Sequence, residues 1–290
     1  MRTLSDKVVV ITGAGSGIGR ALAVRVANEG ARLALSDISA TGLAETAAMI
    51  RQRRGVELRT DQLDVRDRQA MAAYAASVAA EFGTVNVVIN NAGVGFYGFL
   101  DEMTYEQFEW VMDIDFWGVV YGTKEFLPYL IASGDGHIVN LSSMDGLVGM
   151  AGQTQYCAAK FAVRGFSEAL RQEMMISGHR VEVTTVHPGS IQTPIARNAG
   201  IAGNRDRDHH AEFFEKYMAM TSAEHVADRI INGILKKKPR VVVGLDAKAL
   251  DVLSRIAGAG YQRAFAAITK LGNKKLAKSS TPPRAGDSHR

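Results

Sequence analysis

One cysteine, Cys157, stands among 290 residues. No intramolecular disulfide can form, which fits a reducing cytoplasm. No run of about 18 apolar residues occurs, so no transmembrane helix is expected. The chain reaches its first apolar strand by Val8 without a charged-then-apolar leader, so no secretory signal is expected. Basic surface is also scarce where it would matter. The net charge is +4, but six cations against one acid from position 270 onward leave +5 in the tail. The body therefore carries −1 and offers nucleic acid no basic face. Metal-ligand spacing is missing too. The pair His209-His210 has no further ligand-type neighbours, so no metal is expected.

What remains is an ordinary globular composition, a little rich in glycine, long enough to bury a sizeable core. Short Val/Ile-rich runs at 7–12, 32–36, 56–62, 85–90, 137–141, 181–187 and 240–243 alternate with helical patterns. Among the latter are the alanine-rich 67–82 and a long segment at 105–130. Thr104-x-x-Gln107 and Thr221-x-x-Glu224 read as capping boxes that start helices. Apolar strands alternating with helices predict an α/β fold: one doubly wound, seven-stranded parallel sheet with helices on both faces. Ligands in such a fold bind at the carboxyl ends of the strands.

The first strand runs into Thr12-Gly13-Ala14-Gly15-Ser16-Gly17-Ile18-Gly19, and a helix follows. Glycines there let backbone N–H groups approach a pyrophosphate at the helix N-terminus. Asp37 ends the second strand, where a carboxylate can accept from an adenosine ribose diol and repel a 2′-phosphate. Neither Ile38 nor Ser16 offers that phosphate a cation. NAD is therefore favoured over NADP. Asp64-Val65 follows the third strand, and Asn91-Ala92-Gly93 the fourth. Asn91 can hold neighbouring backbone, while Ala92 and Gly93 allow a flat ligand close approach. After the sixth strand, Pro188-Gly189 favours a tight turn. Beyond it the Ile191 backbone and the Thr193 hydroxyl can meet a carboxamide.

The organising stretch is 142–160. Ser143 is followed by Tyr156 and, four residues on, by Lys160, so the latter two share a helix face. Free tyrosine has a pKa of about 10. An ammonium within about 4–6 Å favours the phenolate, and a tyrosine tuned in this way can exchange a proton with an alcohol or carbonyl oxygen.

Together these segments resemble the short-chain dehydrogenase/reductase family over roughly residues 5–245. The resemblance implies a single Rossmann-like domain, a nicotinamide cofactor and reversible alcohol–carbonyl interconversion. It assigns Ser143 to polarising the carbonyl and Tyr156 to acid/base work. Lys160 would bind the nicotinamide ribose and lower the Tyr156 pKa. Ile191 and Thr193 would seat the carboxamide, and Asp64 and Val65 would flank the adenine. It also implies a homodimer or homotetramer built on the 105–130 and 153–177 helices. One departure stands out. Where the family places an asparagine whose backbone carbonyl holds a proton-relay water, this chain has Asp115. The carbonyl survives that change, so the relay is expected to persist. The new carboxylate can, however, also pair with Lys160.

The segment 194–220 is where the family keeps a substrate lid. Phe96 and Met150, with Val94, Tyr97, Met144 and Leu147, offer mostly apolar surface near Ser143 and Tyr156. A hydrophobic alcohol or ketone is the expected substrate. The domain is expected to span 1–245. A helical extension at 246–275 would follow, then a disordered tail at 276–290. In the extension Leu250, Leu253, Ala257, Tyr261, Phe265, Ile268 and Leu271 form one apolar stripe. That stripe packs on the body or a second subunit, or attaches to a membrane surface. A non-catalytic dinucleotide-binding sensor or scaffold is the alternative to an enzyme.

Overall fold

Seven runs form strands, most rich in β-branched and apolar residues and the edge strand β3 largely polar: β1 (Val8–Thr12), β2 (Arg32–Asp37), β3 (Leu58–Gln62), β4 (Val87–Asn90), β5 (Gly136–Leu141), β6 (Val181–Pro188) and β7 (Arg240–Val243). The computed structural model describes residues 1–52, 55–203 and 206–279, the side chains of His210 and of 271–279 excepted. The strands pair in the order β7-β6-β5-β4-β1-β2-β3, all parallel. Side chains alternate across the sheet. Val9 and Ile11 join one core with Leu33, Leu35, Val87 and Ile89. Val8 and Val10 join the other with Val88 and Ile138. Both faces are covered, which is why inner strands such as β1 and β4 read as nearly unbroken apolar runs.

Helices α1 (Gly17–Asn28), α2 (Ala40–Arg51) and α8 (Ala223–Leu235) close the first face. The second is closed by α3 (Arg68–Phe82), α5 (Gly118–Ala132) and α6 (Thr154–Ile176). Fully burying a side chain such as Leu22 or Phe126 stabilises by roughly 1.5–3 kcal/mol. The Asp67 carboxylate caps α3 by accepting from Gln69 and Ala70 N–H. Thr104 and Gln107 form the expected capping box of α4 (Tyr105–Met112).

Three elements differ from expectation. The segment 105–130 is continuously helical as expected, but a π-helical turn, Asp113–Trp117, lies inside it between α4 and α5. Such a turn holds one extra residue, and hydrophobic periodicity does not register it. The start of α8 is capped by Ser222, which accepts from His225 N–H at 3.2 Å, not by the Thr221/Glu224 box. Thr221 instead belongs to a two-residue strand, Thr221–Ser222, pairing with Ile191–Gln192. The C-terminal extension is two helices, α9 (Leu245–Ala257) and α10 (Tyr261–Ser279), joined by the 3-10 turn Gly258–Gly260. The apolar stripe is therefore broken. Leu250, Tyr261 and Phe265 are half-buried, whereas Leu253, Ala257 and Ile268 are exposed. The helix runs four residues into the stretch expected to be disordered; 280–290 lie outside the described residues. Within 194–220, Gly200–Ile201 pairs with Phe96–Tyr97, and α7 (Arg207–Tyr217) follows.

Candidate active site

The carboxyl ends of β1, β2, β4, β5 and β6 open onto one cleft of about 1810 Å³. Drug-sized pockets hold about 300–1,000 Å³, so this cleft has room for a dinucleotide and a second molecule. Gly13, Ser16, Gly17, Ile18, Asp37, Asp64, Val65, Asn91, Ala92 and Gly93 line one half. Pro188, Gly189, Ile191 and Thr193 line the wall beside them. Gly19 stands behind the lining: a Cβ there would sit 2.0 Å from the Gly13 carbonyl oxygen. Gly13 itself has φ +65°, and a Cβ would meet Ala92 Cα at 2.7 Å. Neither position admits a side chain without reopening the turn.

Asn91 fastens this turn to β4. Its side-chain amide donates to the Thr12 and Gly13 carbonyls at 3.0 and 3.1 Å. The Thr12 hydroxyl accepts from Asn91 and Ala92 N–H. No side chain caps α1, as is also true of α5, α6 and α9, but α1 alone follows the glycine turn at the cleft. Its free first-turn N–H groups, with positive dipole, fit an anion. Asp37 accepts from Gly15 N–H at 2.7 Å and from Ser39 N–H at 2.8 Å. Sequence reasoning missed Arg20, a cation in this wall. Its charge is engaged by Glu45 at 2.7 Å and by the Gly15 carbonyl. Asp64 pairs with Arg66 at 2.6 Å, which holds its carboxyl below the usual range.

The other half of the cleft gathers Ser143, Tyr156 and Lys160 as expected, with Phe96 and Met150 beside them. Ser143 and Lys160 are buried and Tyr156 is partly buried. The Lys160 ammonium lies 5.4 Å from the Tyr156 ring centroid and donates to the Leu141 carbonyl at 3.2 Å. The expected depression of the phenol is not what the site produces. Burial pushes Tyr156 well above its ordinary value, and Asp115 and Asp145 push it further; a Ser143 hydrogen bond pulls it down. Lys160, for its part, already has an anion. Asp115, fully buried at the π-turn, pairs with it at 3.2 Å. Its other oxygen accepts from Val94 N–H at 2.8 Å. Burial raises the Asp115 carboxyl, with Lys160 opposing.

Four further groups were not assigned to the site from sequence, Tyr261 having been read only as part of the apolar stripe. His187, buried at the end of β6, donates from Nδ1 to the Ser143 carbonyl at 2.9 Å. Burial holds it neutral, down to about 4. Asp145, two residues beyond Ser143, is buried within the cleft wall. Asp246 of α9 accepts from Ser190 N–H at 2.7 Å and so fastens the extension to the 188–193 loop. Tyr261 of α10 accepts from Gly149 N–H at 2.9 Å, which brings Phe265 and Ile268 to the cleft mouth. Only Asp145 had a local signal, a carboxylate beside Ser143. The others reach the site through tertiary packing. Cys157 is buried, which pushes its thiol up to about 12 and leaves it a packed residue.

Residues 7–203 match the family model for short chain dehydrogenase. The chain is 54% identical over 267 residues to SadH of Mycobacterium tuberculosis, covering 92% of this chain and 96% of that protein. Levodione reductase of Leifsonia aquatica is 36% identical over 197 residues, 67% of this chain and 73% of that one. A solved short chain dehydrogenase/reductase from Burkholderia phymatum in complex with NAD aligns with TM-score 0.82 at 29% identity. That alignment covers 89% of this chain and 95% of that one.

Proposed function

The chain belongs to the short-chain dehydrogenase/reductase family, and from that premise we propose that it is a nicotinamide-dinucleotide oxidoreductase interconverting a hydrophobic secondary alcohol and its ketone. The observation that carries the reading is the convergence of Ser143, Tyr156 and Lys160 in a cleft whose other half fits a dinucleotide. The uncapped N-terminus of α1 suits a pyrophosphate. Asp37 suits a ribose diol, and because Arg20 is engaged by Glu45, NAD is favoured over NADP. The bound NAD of the Burkholderia neighbour supports a nicotinamide dinucleotide in this cleft.

When bound, the cofactor supplies or accepts the hydride. This chain's residues orient the substrate oxygen between Ser143 and Tyr156 and move one proton at the phenolic oxygen. Lys160 holds the ribose end and Asp115 holds Lys160. Phe96, Met150, Phe213, Phe214, Phe265 and Ile268 give the substrate end an apolar lining, which suits a hydrophobic ligand. Trp117 and Phe161, exposed on the α5 and α6 faces, support assembly through those faces.

Steady-state turnover over alcohols graded in chain length and ring size, with NAD and with NADP, tests the reading. NAD-dependent oxidation is expected for the larger alcohols. Tyr156→Phe should abolish it while still binding the dinucleotide; normal turnover by that variant would refute the assignment. One observation favours a second reading, a dinucleotide-binding sensor without turnover: the Lys160 charge is already engaged by Asp115. Failure of every alcohol and ketone in the same screen, with dinucleotide still bound, would select it.

A further inference from the structure

Ser143 has one proton and two lone pairs to distribute. One lone pair is already committed, because Asp145 N–H donates to Ser143 Oγ at 3.1 Å. Three groups compete for the proton and the other lone pair. Two are the reacting oxygen of the substrate and the Tyr156 hydroxyl, which hydrogen-bonds Ser143. The third is Asp145 Oδ2, 3.5 Å from Ser143 Oγ. Asp145 is 5% exposed, and its Oδ1 has no hydrogen-bond partner among the described residues. Nothing else fixes the carboxyl's proton.

The two states of the carboxyl make opposite demands. An ionised Asp145 only accepts, whereas a protonated one can donate. We propose that Asp145 is a positioning residue that sets the direction of the Ser143 hydroxyl. Ionised, it draws the Ser143 proton away from the reacting oxygen. Protonated, it donates to Ser143 and releases that proton to the reacting oxygen, leaving an alcohol's own O–H proton to Tyr156. Reduction and oxidation cross one transition state, so the protonated form serves both and the ionised form slows both. This inference rests on the reading that Ser143 holds the reacting oxygen.

The surroundings allow both states near neutrality. Burial raises the Asp145 carboxyl to about 7, and Asp246 of α9 acts in the same direction. The Ser143 hydrogen bond and Lys160 of α6 oppose them. Tyr156 and Cys157 also face Asp145 from α6. From β6, His187 reaches it through the Ser143 carbonyl and stays neutral.

The test is kcat/KM against pH in both directions, for the natural enzyme, Asp145→Asn and Ser143→Ala, on a ketone–alcohol pair found by the screen. In the natural enzyme, reduction should fall by roughly tenfold to a plateau as pH rises through 7, the scale of one transition-state hydrogen bond. Oxidation should lose the same factor over that interval, measured against Asp145→Asn, because the equilibrium fixes the ratio of the two directions at each pH. Asp145→Asn cannot ionise and should lose that limb. A limb that persists unchanged in Asp145→Asn, with Ser143→Ala inactive, overturns this inference alone. Normal turnover by Ser143→Ala overturns the functional reading and this inference with it. A second measurement does not depend on the fate of Asp145→Asn. In carboxyl 13C NMR, the Asp145 midpoint should rise in Ser143→Ala, which removes the opposing hydrogen bond. An unmoved midpoint overturns the proposal.

Discussion

The Lys160 ammonium lies between two acids of unequal strength. Asp115 is 3.2 Å from it, and the Tyr156 ring centroid is 5.4 Å away. Coulomb attraction scales inversely with distance, and a carboxylate ionises far more readily than a phenol. Asp115 therefore takes most of the cation and pushes the phenol upward. Replacing it with asparagine removes that push while keeping an oxygen to accept Val94 N–H. Asp115→Asn should shift the rising limb of the alcohol-oxidation pH profile to lower pH. If the backbone carbonyl carries the relay, kcat should change by less than about a hundredfold, the lower range of a complete acid–base contribution. A larger gain would mean that the natural carboxylate breaks the relay. The presence of Asp115 at this position was legible in the sequence. So was its pairing with Lys160, although 45 residues separate the two; the Val94 N–H that holds its other oxygen was not, because it reaches Asp115 only through the fold.

At the scale of elements, local chemistry was legible wherever it alone decides the structure. The strand runs hold to within two residues, because β-branched side chains buried on both faces admit few alternatives. The Thr104 box was readable for the same reason, since both its partners lie within four residues. The start of α8 was misread because two adjacent hydroxyls compete for one cap. Thr221 is held away by its pairing with Ile191, so Ser222 serves. Ser222→Ala should destabilise the protein by about 1 kcal/mol, the usual loss for a cap. Thr221→Ala should change stability by less than about half that amount. Urea midpoints of the two variants distinguish the assignments, and the reverse order would restore the sequence-based cap. The π-turn and the break at Gly258–Gly260 had no comparable signal. An inserted residue barely disturbs a helical period, and glycines near a helix end are compatible with either a stop or a continuation.

Across the whole molecule, the two halves of the cleft are built differently. The dinucleotide half is formed by strand ends and the glycine turn, all rooted in the sheet. The substrate half is completed by later chain: the 194–220 segment and α9–α10. These contribute Phe213, Phe214, Phe265 and Ile268 to the lining. This is why the first half followed from motif order while the second did not. The stripe from Leu250 to Ile268 announced an amphipathic element without naming the surface it would meet. In the structure Asp246 and Tyr261 join the extension to the body, one accepting from Ser190 N–H and the other from Gly149 N–H. Under the proposed function, the extension bounds the substrate end of the cleft without entering the dinucleotide end. Phe265→Ala removes apolar wall at the mouth and leaves both anchors in place. For a long-chain or polycyclic alcohol its KM should rise about fivefold, as expected for the loss of roughly 1 kcal/mol of apolar contact. KM for a short-chain alcohol and for the dinucleotide should stay within about twofold. Equal losses for short and long alcohols would show that α10 supports the fold without meeting substrate. A change confined to the dinucleotide would place its influence in the 188–193 loop, through Asp246.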